Sequence, residues 1–170
     1  MAAPPDHPRD LQVDQDIALQ HRVWRAQRVG WTVLGLFVLA GVLGLWGGVG
    51  PLNSASAHAA DRELTVHYPR FARYVGPTEF AVEVSAARAR AGALELSIAR
   101  SYIDQWEMYG ISPQPDSEKA RGEWMVYEFT LGEAATRIDF HGRPHLVGWL
   151  RGSARIDAGE PVAFATWVHP

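Results

Sequence analysis

The sequence predicts a mainly β protein: one N-terminal transmembrane helix followed by an exported antiparallel β-sandwich of immunoglobulin-like type. Three observations predict it. An uncharged run of 22 residues, Val29 to Gly50, stands out in a chain of 170. The 110 residues from Asp61 to Pro170 repeat short period-two patterns separated by Gly and Pro turns. Cysteine is absent, so burial of a core rather than disulfides must hold that region together.

The elements follow in chain order. Residues 1–28 read as a cytoplasmic arm. Met1 to Arg9 carries three prolines and predicts an irregular start. Asp10 to Arg28 has neither Pro nor Gly, and Val13, Ile17 and Trp24 fall at helical spacing, so a helix is expected from about Leu11. It runs into the apolar segment, residues 29–50. At ~1.5 Å per residue, ~20 helical residues cover a hydrocarbon core of ~30 Å. Trp31 and Trp46 lie near its two ends, where amphipathic rings favour the interface. Arg22, Arg25 and Arg28 crowd the N-terminal flank, whereas Pro51 to Ala60 holds no Lys or Arg. The positive-inside rule then keeps the N-terminus in the cytoplasm and exports the rest, giving a single-pass protein of the cytoplasmic membrane. These Trp and Arg residues are the expected membrane-interface anchors. Cleavage within the Ala-rich stretch after Leu52 is a second processing outcome, but the apolar run exceeds the ~7–15 residues of a signal peptide core and favours retention.

Ala40, Gly44 and Gly48 are spaced four apart. On a helix they would share one small-residue face, suited to packing against a helix of a partner or of a second copy. Residues 51–60, small and polar, read as a linker.

The exported domain, residues 61–170, is expected to hold about seven strands. Leu64, Val66 and Tyr68 alternate with polar residues, as do Phe80, Val82 and Val84, and Leu94, Leu96 and Ile98. Met125, Tyr127 and Phe129 share one face of Glu123 to Leu131; Val162, Phe164, Thr166 and Val168 share another. Arg137 to Phe140 reads as a short strand and His141 to Pro144 as a turn. Ser101 reads as the N-cap of a short helix near 101–107. Trp124, Phe129, Phe140, Trp149, Phe164 and Trp167 are assigned to the core or to a sheet face rather than to ligand contacts. Tyr68 to Tyr74 mixes aromatic and basic side chains beside the membrane. Arg70, Phe71, Arg73 and Tyr74 are therefore a possible partner surface, weighed against a loop that packs its rings and solvates its arginines.

Several chemistries have no support. The formal net charge of −3 argues against general nucleic-acid binding. Without cysteine there is no thiolate metal site or thiol catalysis. His141 and His145 are four apart, but Gly142 and Pro144 between them spoil the helix that would align two ligands. No phosphate-binding glycine loop and no nucleophile elbow occur. No catalytic, metal or cofactor residue is assigned.

The layout resembles an uncharacterised family of small bacterial single-pass membrane proteins with an exported β domain and an aromatic–proline end like Trp167-Val168-His169-Pro170. The resemblance implies the architecture and no activity. Copper-delivery factors of respiratory oxidases are similar in architecture too, but their Cys or clustered Met and His ligands are missing here. The expected function is a non-enzymatic accessory or interaction protein, in contact with the lipid bilayer and an integral membrane partner or a second copy. The alternative is an exported domain that binds a ligand or metal.

Overall fold

The computed structural model describes residues 17–46, 48, 50–90, 92–130 and 137–170. Two compact units are present, Met1–Val38 and Leu39–Pro170. The first is described from helix α1, Ile17–Val42, which continues into the second. The irregular start and the helix onset near Leu11 lie outside the described residues.

Helix α1 stops at Val42 rather than continuing to Gly50. Gly44 takes a left-handed φ of +89°. Its N–H donates to the Gly41 carbonyl at 3.0 Å, and the Leu45 N–H donates to Ala40 at 3.1 Å. This pair of bonds around a left-handed glycine is a Schellman cap. The uncharged part of the helix is therefore Val29–Val42, 14 residues. At ~1.5 Å each it reaches ~21 Å, short of ~30 Å. No helix among the described residues is long and apolar enough to cross a membrane.

Eleven described strands form two sheets. They are β1 Ser54–His58, β2 Leu64–Pro69, β3 Phe71–Arg73, β4 Thr78–Val84, β5 Ala93–Ala99, β6 Trp106–Ser112, β7 Ser117–Arg121, β8 Trp124–Thr130, β9 Arg137–Pro144, β10 Gly148–Ile156 and β11 Val162–His169. Two short helices, α2 Ala86–Ala89 and α3 Arg100–Ile103, interrupt them. One sheet has the order β1-β2-β4-β9-β6 and the other β3-β11-β10-β5-β8-β7. All pairs are antiparallel except β3 with β11. That parallel pair arises because the chain passes from one sheet to the other at Arg70, between β2 and β3.

One core lies between the sheets. It draws Leu64, Val66, Phe80, Val82 and Ile138 from the first sheet and Leu96, Ile98, Tyr127, Leu150 and Phe164 from the second. Phe80 stacks on Phe140 at 4.7 Å and meets Tyr102 and Trp106 edge-on. Burial pushes the Tyr102 hydroxyl well above its ordinary range. Gly152 makes room for this cluster: a Cβ there would lie 2.8 Å from the Tyr102 ring.

Three expectations are corrected. Residues 54–58 are not linker but strand β1, whose Ala57 packs on the core. His141 to Pro144 is not a turn but the second half of β9. Ser101 lies inside α3; the N-cap is Ala99, without a side-chain cap. Trp149 falls on the sheet face rather than in the core, because β10 points Leu150 inward and its neighbour outward.

Candidate functional site

An open cleft of about 680 Å³ is lined chiefly by the outer face of the β1–β2–β4–β9–β6 sheet. Strand alternation decides which side chains reach that face. On β4 the inward set Phe80, Val82 and Val84 leaves Glu79 and Glu83 outward. On β9 the inward set Ile138, Phe140 and Gly142 leaves Arg137, Asp139 and His141 outward. On β2, His67 faces out between Val66 and Tyr68.

Register then pairs them. Glu79 lies opposite His141, and its carboxylate is 3.5 Å from the His141 Nδ1. His67 Nε2 is 2.9 Å from the Glu83 Oε2. Arg137 Nε donates to Asp139 at 2.7 Å. Tyr109 and Phe71 line the rim. The cleft thus presents the His141–Glu79 pair, His67, whose carboxylate partner Glu83 lies outside the lining, and aromatic edges. It offers hydrogen-bond donors and acceptors for a polar ligand, and among the described residues the side-chain partners of His67 and His141 are carboxylates rather than a hydroxyl or amine nucleophile. Among the described residues no group of three or more His, Asp or Glu could hold a metal ion. His145, four residues past His141, sits beyond the end of β9.

Other charged pairs lie on the surface. Arg143 donates twice to Glu107, at 2.9 and 3.0 Å, and these bonds hold the Glu107 carboxyl below its ordinary value. Ser117 and Lys119 do the same for Glu128.

The residues singled out from sequence are placed as follows. Arg22, Arg25, Arg28 and Trp31 are exposed on α1, with the Arg28 guanidinium 3.7 Å above the Trp24 ring. Trp46 lies past the helix end. Ala40 is on α1 while Gly44 and Gly48 lie beyond it, so the three do not share one helix face. Gly44 serves the cap instead, and its Cα side meets the Gly50 backbone, 2.9 Å from where a Cβ would be. Arg70, Phe71, Arg73 and Tyr74 are not a loop: Phe71–Arg73 form β3 against β11, with Arg73 and Tyr74 exposed.

Sequence reasoning missed Asn53. This residue is 9% exposed and ties three segments together. Its Nδ2 donates to the Gly48 carbonyl at 2.8 Å, its Oδ1 accepts from the Phe71 N–H at 2.7 Å, and its carbonyl accepts from Arg70 at 2.6 Å. A lone Asn after Pro-Leu in a small polar stretch gives no signal beyond a turn.

Comparison with known proteins adds little. No family model matches the chain. No curated protein matches it. Among solved structures, the soluble domain of PmoD from Methylocystis sp. ATCC 49242 (Rockwell) is similar at 15% identity, with a TM-score of 0.34, over 62% of this chain and 89% of that one. Overlap this low establishes no common fold.

Proposed function

We propose that the chain is a membrane-anchored accessory protein that binds a partner, with the N-terminus in the cytoplasm and the two-sheet domain on the other side. The observation that carries this reading is the character of α1 from Val29 to Val42. It has no charge, and Val29, Trp31, Val33, Leu34, Leu36, Phe37, Val38 and Val42 are each more than half exposed. A helix apolar all round is at home in lipid or inside a protein assembly. The uncharged sequence continues past the cap to Gly50 and supplies further apolar length. Arg22, Arg25 and Arg28 on the preceding turns support the orientation.

The finer fold assignment belongs to the same reading. Taken as strands A, B, E and D, the set β2-β4-β9-β6 follows one immunoglobulin sheet, and β11-β10-β5 follows its G-F-C sheet, extended by β8 and β7. The departure is that β6 precedes β7 and β8 in the chain. Immunoglobulin-like domains of this kind act through surfaces, which fits an interaction role.

Two fractions test it. Membranes from cells making the C-terminally tagged chain are washed with alkaline carbonate, then extracted in mild detergent. Retention through the wash and recovery of a stoichiometric companion are expected. Release into the wash as a lone chain overturns the reading and turns attention to the cleft as a ligand site.

A further inference from the structure

Five large apolar side chains of the β domain, Tyr74, Val75, Leu146, Val147 and Trp149, are 44–60% exposed. They belong to two segments that the backbone joins. The Val75 N–H donates to Pro144 at 2.9 Å, and the Tyr74 N–H donates to His169 at 2.8 Å. Trp149 meets Trp167 edge-on at 5.3 Å, and Trp167 lies opposite Phe71. A contiguous aromatic and aliphatic patch of this kind on a domain surface marks a contact site.

Register places the patch at a particular end. Ser54 lies opposite Pro69, and β2 leads directly into β3, which ends at Arg73 beside Tyr74. Thr78 lies opposite Gly142, so the start of β4 and the end of β9 are at this end too. Asn53, where the chain coming from α1 joins the sheets, is bonded to Arg70 and Phe71. The patch therefore sits at the end of the domain that receives the apolar run. The turn at Asp157 to Glu160 is at the other end, ~26 Å away along β10 at ~3.3 Å per residue.

Charge at this end leans basic, although Glu123, whose backbone carbonyl accepts from the Arg100 N–H, is exposed there without an ion pair to a described residue. The acids Glu79, Asp104 and Glu107 each face a basic partner, His141, Arg100 and Arg143. Arg70, Arg73 and Arg151 are exposed and form no ion pair with a described residue.

We propose that this end of the domain is a lipid-contacting surface. Tyr74, Val75, Leu146, Val147 and Trp149 enter the interfacial layer, and Arg70, Arg73 and Arg151 meet anionic headgroups. Trp and Tyr are suited to that layer, with an apolar body and a polar edge, and Arg presents a fork of donors that matches phosphate. The proposal rests on the reading of α1 as a membrane anchor. The chain enters the domain at Asn53, at the end that carries the patch.

The absence of cysteine makes the test clean. Full-length V33C, V147C and A158C variants each carry one environment-sensitive fluorophore. They are reconstituted into phosphatidylcholine vesicles, with and without phosphatidylglycerol, containing a spin-labelled lipid quencher. Quenching is expected at 33 in both compositions. At 147 a blue shift and quenching are expected, both larger with phosphatidylglycerol, while 158 stays as in water. Adding R70E and R73E to V147C should abolish the gain from phosphatidylglycerol. Near-ultraviolet circular dichroism checks the fold of each variant, and L146C replaces V147C should that one misfold. Quenching at 33 with a water-like signal at 147 overturns the proposal and leaves the anchor standing. Quenching at 147 without quenching at 33 removes the anchor and keeps the lipid surface. No quenching at either position removes both.

Discussion

Gly152 shows how one missing side chain shapes the core. A Cβ at Gly152 would lie 2.8 Å from the Tyr102 ring and 2.9 Å from Phe164, so Gly152→Ala forces rings to move and should destabilise the domain by ~1–3 kcal/mol, read as a lower urea midpoint. Asn53 works by the opposite means, through what its side chain reaches. Asn53→Ala leaves the Phe71 N–H without its acceptor in a closed corner and should cost ~1–3 kcal/mol. Asn53→Asp keeps the acceptor for Phe71 but loses the donor to Gly48, so its stability should fall between the two. Glu107 and Glu128 set a pH dependence. Both carboxyls are held below the ordinary value of 4.5 by hydrogen bonds, from Arg143 in one case and from Ser117 and Lys119 in the other. Their folded affinity for protons is lower than in the unfolded chain. The stabilisation is therefore complete above pH 4.5 and drains away as pH falls through the lower folded values. A thermal-melting series between about pH 6 and about pH 3 should show a Tm that declines with acid, and an E107Q/E128Q variant should decline less steeply.

At the scale of elements, the end of α1 is the instructive case. Ala40, Gly44 and Gly48 carry the spacing of a helix-packing stripe, yet the same Gly44 is the left-handed cap that ends the helix. Two uses of glycine compete in one sequence, and spacing alone does not separate them. Gly44→Ala distinguishes them physically. A left-handed non-glycine residue costs ~1–2 kcal/mol, and the added Cβ would lie 2.9 Å from Gly50, so melting should drop even for the isolated monomer. Strands with strong alternation were legible: β2, β4, β5, β8 and β11 all fall where their apolar residues predicted them. β1 was not, because Ser-Ala-Ser-Ala-His offers no large apolar side chain, and only pairing with β2 makes it a strand. β9 was read too short because Gly142 and Pro144 look like a turn. In the sheet Gly142 is needed for closeness, since a Cβ there would lie 2.9 Å from the Met108 sulfur, and Pro144 ends the strand. The outer-face pairs His67–Glu83 and His141–Glu79 depend on registers between strands, which no single strand encodes.

The whole molecule combines an exposed apolar helix with a domain whose two sheets share one aromatic core. The sequence pattern pointed to both, while the cleft, the Asn53 junction and the exposed patch emerged only from assembly. A feature of that assembly also orders events in time. Strand β3 finds its partner in β11, and the Thr166 hydroxyl donates to the Pro69 carbonyl across 97 residues of chain. β11 is the last of the eleven strands to leave the ribosome. The corner formed by Arg70 to Arg73 is thus among the first parts of the domain to be synthesised and among the last to be closed. Until β11 arrives, Phe71 and Trp167 have no neighbour in each other, and the aromatic residues around them are open to any chaperone at hand.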